Sequence, residues 1–81
     1  MRMTDAVKAA LSVADKAQGD LAQFQGISKQ AITNKMFRGT WTGKDLLDVA
    51  NLTGGKLLIE YPDGSKIVID SPGTVAEQSE E

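Results

Sequence analysis

The stretch QGDLAQFQGISKQAITNKMFRG, residues 18–39, spells two short helices joined at a glycine. On either side of Gly26, the residues Leu21, Ala22, Ile27, Ala31, Ile32 and Met36 supply an inward-facing apolar set. Ser28, Lys29, Gln30, Thr33, Asn34, Lys35 and Arg38 remain for a polar outer surface. Gly26 suits a helix C-terminus that needs positive φ, where a side chain is strained. Ser28 suits the N-cap of the helix that follows, because its hydroxyl can accept from a backbone N–H two or three residues on. From Leu21 to Lys44 there is no Asp or Glu, yet Lys29, Lys35, Arg38 and Lys44 all fall inside.

Helical signals continue on both flanks. Upstream, Thr4 or Asp5 is expected to cap a first helix reaching about Ala17, with Val7, Ala10, Leu11, Ala14 and Ala17 as its apolar stripe. The second helix is expected over about Gln18 to Gln25 and the third over Lys29 to about Phe37, with Gly39 as its stop. Thr42 with Asp45 three residues later resembles a capping box for a fourth helix. Leu46, Leu47, Val49 and Ala50 form its buried side, and Gly54–Gly55 close it. Trp41 is expected to pack on this fourth helix, and Phe24 and Phe37 to sit in the core or at its rim.

From Lys56 the period changes from 3.6 to 2. KLLIEY and SKIVID flank Pro62–Asp63–Gly64, in which Pro presets φ and Gly takes the left-handed site of a three-residue hairpin loop. That loop pairs Tyr61 with Ser65. It then sets Glu60 against Lys66, Ile59 against Ile67, Leu58 against Val68, Leu57 against Ile69 and Lys56 against Asp70. One face, Leu57, Ile59, Tyr61, Ile67 and Ile69, is expected to pack on the helices. The other carries Leu58 and Val68 between two opposite-charge pairs. The fold class is therefore mainly α, a four-helix bundle over residues 4–55 followed by a β-hairpin over 56–70. Residues 71–81, led by Ser, Pro and Gly and rich in acid, are expected to form a disordered tail.

Composition narrows the chemistry. At 81 residues the chain has a small core of marginal stability. It lacks Cys and His, which removes thiol chemistry, the commonest general base and the commonest metal ligands. No convincing pair of carboxylates replaces them, so neither catalysis, a cofactor nor a small-molecule substrate is expected. No apolar run approaches a membrane span of about 20 residues, and the N-terminus does not resemble a signal peptide, so the cytoplasm is the expected compartment. The net charge of −2 is unevenly divided. Residues 1–55 hold seven basic and five acidic residues, a net +2, whereas residues 56–81 hold two and six, a net −4. Charge distribution, not the total, governs affinity for phosphate.

An acid-free basic helix behind a glycine turn has the chemistry needed to read a DNA major groove. The chain resembles the Cro/repressor (Xre-type) helix-turn-helix family at Gln18, Leu21–Ala22, Gly26–Ile27–Ser28, Gln30–Ala31–Ile32 and Arg38–Gly39, and the resemblance covers about residues 4–55. It implies a lambda-repressor-like bundle with the third helix in the major groove of double-stranded DNA. Gln18 would then contact phosphate, while Lys29, Gln30, Asn34 and Thr33 face base edges. Lys can donate to guanine O6/N7, and Gln and Asn can pair with adenine N6/N7. Ser28, Lys35, Arg38 and Lys44 suit phosphates, which position the module without reading sequence.

Two departures stand out. Gln25 occupies a position that is usually apolar in the family, which predicts a rotated second helix or Phe24 turned to the core. The third helix also runs one residue longer before Arg38–Gly39. The expected function is transcriptional regulation, with repression favoured, by a homodimer joined through the hairpin at Leu58 and Val68. The alternative is a protein-interaction module that docks a partner through its hairpin or helical face.

Overall fold

In a computed structural model, which describes residues 1–71, the chain forms four helices followed by a two-stranded antiparallel hairpin. The helices are α1 (Met3–Val13), α2 (Gln18–Gln25), α3 (Lys29–Arg38) and α4 (Gly43–Thr53), and the strands are β1 (Leu57–Glu60) and β2 (Lys66–Ile69). The expected acidic tail lies, beyond Ser71, outside the described residues. Among the described residues, no helix is long and apolar enough to cross a membrane.

Val7 and Leu11 of α1, Leu21 and Ala22 of α2, Ile32 of α3 and Val49 of α4 converge on one core. Leu21, Ile32 and Val7 are its largest fully buried side chains. Truncating one of them to Ala typically costs about 2–5 kcal/mol, a large share of the stability of a domain this small. Ile27 plugs the core from within the turn between α2 and α3, and Met36, Trp41 and Leu46 pack around its edge.

The turn itself follows the sequence signals. Gly26 ends α2 at φ 71°, and the Ile27 N–H returns to the Ala22 carbonyl at 3.0 Å. Ser28 caps α3 by accepting from the Ala31 N–H at 3.0 Å. Gly39 closes α3 in the same left-handed conformation, at φ 69°. At the start of α4, Thr42 Oγ1 accepts from Asp45 N–H (3.1 Å) and Asp45 Oδ2 accepts from Thr42 N–H (3.0 Å), so the capping box forms with Asp in place of Glu.

Three expectations are corrected. First, α1 starts at Met3, behind Arg2, and stops at Val13 instead of continuing to Ala17. Asp15 takes a left-handed conformation (φ 58°), and the Lys16 N–H bonds back to the Leu11 carbonyl at 2.8 Å, closing the helix without a glycine. Thr4 is not a cap either. Its hydroxyl donates to the Met36 carbonyl (3.0 Å) and accepts from the Trp41 indole N–H (2.9 Å), tying α1 to the last turn of α3 and to the α3–α4 connection. Second, Phe24 is half-exposed and Phe37 is 88% exposed, so neither contributes a buried core side chain. Third, the hairpin has the expected register from Leu57–Ile69 to Glu60–Lys66, but only the Leu57 end of its apolar face lies on the helices. Ile59, Tyr61, Ile67 and Ile69 all remain exposed, and the ribbon meets α4 mainly through β1, where Leu57 and Leu58 are half-buried.

Candidate nucleic-acid interface

The outer surface of α3 is built by helical spacing. With Ile32 buried and Ala31, Lys35 and Met36 half-buried, the exposed positions are Lys29, Gln30, Thr33, Asn34, Phe37 and Arg38. Gln30 Nε2 donates to Asn34 Oδ1 at 3.4 Å, a long bond that leaves both amides free to exchange partners with a ligand. Gln18, at the first turn of α2, donates from Nε2 to Thr33 Oγ1 at 3.3 Å. The start of α2 therefore lies beside the middle of α3, and the Gln18 amide and the α3 surface are contiguous. Ser28 is exposed at the leading end, with its hydroxyl already occupied by the cap.

The cations divide into two groups. Lys29 and Arg38 are exposed and make no ion pair among the described residues. Lys35 is different, and its expected place among the outward phosphate contacts is corrected. Its ammonium donates to both oxygens of Asp45, each at 2.8 Å, and its side chain is only 26% exposed. Lys44 pairs with Asp48 at 2.9 Å, one turn away on α4, but at 65% exposure its ammonium stays accessible.

Asp45 is the centre of a polar cluster behind α3. It is 4% exposed and accepts from Lys35, from Gln25 Nε2 (2.8 Å) and from the Thr42 N–H. Burial alone pushes its carboxyl up, but the hydrogen bonds from Lys35, Thr42 and Gln25 and the Lys35 charge outweigh that and hold it below the ordinary carboxylate value. Gln25 also donates to Asp48 at 2.9 Å. This explains the unusual polar residue at position 25. The second helix did not need Phe24 in the core, because Gln25 faces two carboxylates of α4 and locks α2 to it. The side-chain oxygen of Gln25 is buried and unpartnered.

Two further cations join the surface, Arg2 at the cap of α1 and Lys8 within it. An open groove of about 690 Å³ runs between the start of α1 and the end of α3, bordered by Arg2, Lys8, Gln18, Thr33, Phe37 and Arg38. Arg2 and Lys8 are exposed and without ion pairs among the described residues. Sequence reasoning missed them because their place beside α3 is tertiary, set by the Thr4 bonds to Met36 and Trp41. Phe37, expected in the core or at its rim, faces solvent instead. A solvent-facing aromatic at i+3 from Asn34 and i+7 from Gln30 is the signal that periodicity held. On a groove-reading surface such a ring suits the methyl group of thymine.

The surface thus combines amide side chains, unpaired cations and one exposed ring on a rigid helix. Asp5 is the acid that borders the groove. Among the described residues there is no cluster of carboxylates able to hold a metal ion. Comparison with known protein families, curated proteins and solved structures finds no match to this chain.

Proposed function

We propose that this protein binds double-stranded DNA sequence-specifically through α3 in the major groove, as a cytoplasmic, homodimeric transcriptional regulator of the Cro/repressor type. The observation that carries the reading is the outer surface of α3, where Gln30, Asn34 and Lys29 present base-pairing chemistry and no carboxylate stands on the helix. Gln30 and Asn34 match adenine, Lys29 matches guanine, and each good bidentate pair discriminates by about 1–3 kcal/mol. Arg38, Lys44, Arg2, Lys8 and Gln18 flank that surface and serve as phosphate contacts, with Ser28 at the leading end. Lys35 serves indirectly, by fixing the roll of α3 against α4 through Asp45.

The exposed apolar hairpin favours a second reading, a module that docks another protein through that ribbon. Mobility shifts on the upstream region of its own gene separate the two. A discrete complex that weakens with salt, at a log–log slope of about −0.9 per phosphate contacted, supports the first reading. Salt-independent retardation, or none, removes it.

A further inference from the structure

The outer strand of the hairpin has a symmetry that the isolated chain does not use. In Lys66-Ile67-Val68-Ile69-Asp70, a cation and a carboxylate stand two positions either side of Val68. The ladder decides which backbone groups point outward. The Tyr61 N–H donates to the Ser65 carbonyl at 2.8 Å, so Tyr61 and Ser65 are a hydrogen-bonded pair. By antiparallel alternation Ile59–Ile67 and Leu57–Ile69 are hydrogen-bonded pairs as well. Ile67 and Ile69 thus spend their backbone groups on β1, and those of Lys66, Val68 and Asp70 face out from an edge that no other strand among the described residues covers. Every residue of β2 is exposed, whereas β1 is the strand that packs against α4.

We infer that β2 pairs antiparallel with β2 of a second copy of this chain, about a two-fold axis at Val68. In this register each Lys66 meets Asp70 of the second copy. Moving the axis to Ile67 or Ile69 sets a charge against valine, and moving it to Lys66 or Asp70 sets like charges together, which is destabilising. The hairpin's own pairing extends the pattern. Lys66 lies 3.7 Å from Glu60, and the register continued by one residue sets Lys56 beside Asp70. Across the resulting four strands the charges alternate in sign along two rows, with Leu58 and Val68 of both copies between them. On the opposite face Ile67 meets Ile69 of the second copy. A two-stranded ribbon is marginal alone, and the pairing converts two open edges into one continuous sheet. The inference specifies the homodimer of the proposed function and rests on that part of it alone; no DNA contact enters.

The test uses the full chain without DNA, in sedimentation velocity at low ionic strength. Lys66→Glu and Asp70→Lys each place like charges at both symmetric contacts and are expected to weaken self-association about tenfold or more. An equimolar mixture of the two variants restores opposite charges at both contacts and is expected to recover association. Changes inside each hairpin are the same mixed or unmixed, so recovery reports the contact between chains. Because the chain lacks cysteine, Val68→Cys and Leu58→Cys give an independent readout. Val68→Cys is expected to crosslink on mild oxidation, since paired Cα atoms there lie about 5.5 Å apart. Leu58→Cys, one strand further from the axis, is expected not to. Absent recovery between folded variants overturns the register, as does crosslinking at 58 in preference to 68. Should a charge variant unfold, the cysteine pair decides alone: a crosslink at 68 supports the register, and none at 68 overturns it. A wild type that stays monomeric at every concentration also overturns the pairing, while the mobility shift judges the DNA contacts separately.

Discussion

Asp45→Ala is the substitution from which the structure predicts the largest effect outside the apolar core. Asp45 is 4% exposed and accepts from three groups, the Lys35 ammonium, the Gln25 amide and the Thr42 N–H. Removing one partner of a buried ion pair costs about 3–5 kcal/mol when the remaining charge is trapped. Lys35 is 26% exposed and can turn partly to water, which reduces that cost, whereas the lost cap restores about 1 kcal/mol to it. We expect a net loss of about 2–4 kcal/mol, which in a domain this size lowers Tm by roughly 10–25 °C. Urea and thermal unfolding followed by circular dichroism at neutral pH measure it. Asp48→Ala is the control, because its pair with the 65% exposed Lys44 contributes about 1 kcal/mol or less and Gln25, its other donor, keeps Asp45 as an acceptor. The pH dependence follows from the sign of the shift. The Asp45 carboxyl lies lower in the folded chain than its ordinary value of 3.8, so its contribution is complete above that value and is lost as pH falls below it. Asp45→Asn should therefore flatten the acid limb of the stability profile. A loss under about 1 kcal/mol for Asp45→Ala, or one equal to that of Asp48→Ala, would refute the claim that this cluster holds α3 in place.

Three further outcomes are expected. Lys29→Ala and Asn34→Ala should relax sequence preference by about 1–3 kcal/mol at individual base pairs, measured on a panel of singly substituted duplexes, while Arg38→Ala weakens all sequences alike. Arg2→Ala and Lys8→Ala should each reduce the salt slope by about 1, whereas Lys35→Ala lowers stability and leaves the slope nearly unchanged; equal slopes for all three contradict the division of cations described above. Gly26→Ala should destabilise by about 1–2 kcal/mol in chemical unfolding, entirely through the left-handed backbone at φ 71°, because no atom lies within 4 Å of an added Cβ.

What the sequence made legible was local chemistry. The glycines at 26, 39 and 54 all adopt the left-handed conformation at helix ends, and the Pro62–Asp63–Gly64 loop set the strand register as its composition implies. Ser28 and Thr42 cap the helices they precede. What periodicity could not supply was direction in three dimensions. Lys35 lies on the same helix as Lys29 and Arg38, but its position turns it toward α4, and only the fold brings Asp45 within 2.8 Å. Gln25 read as an anomaly in a pattern of apolar positions; its two carboxylate partners lie 20 and 23 residues downstream. The first helix looked longer than it is because alanines continue the apolar spacing past Val13, whereas Asp15 accepts a left-handed turn that spacing does not encode. The hairpin alternation was correct about which residues share a face, but the expectation that this face packs on the helices holds only at Leu57, because alternation does not say which way a ribbon turns.

The most direct test of the central claim, that α3 reads a DNA major groove, is selection of bound duplexes from a random pool by the wild-type chain. The account predicts enrichment of a partly symmetric site with half-sites about 10 base pairs apart, and loss of that enrichment at particular base pairs in the Lys29→Ala and Asn34→Ala chains. A selected pool indistinguishable from the starting pool, or the same site enriched equally by both variants, contradicts it.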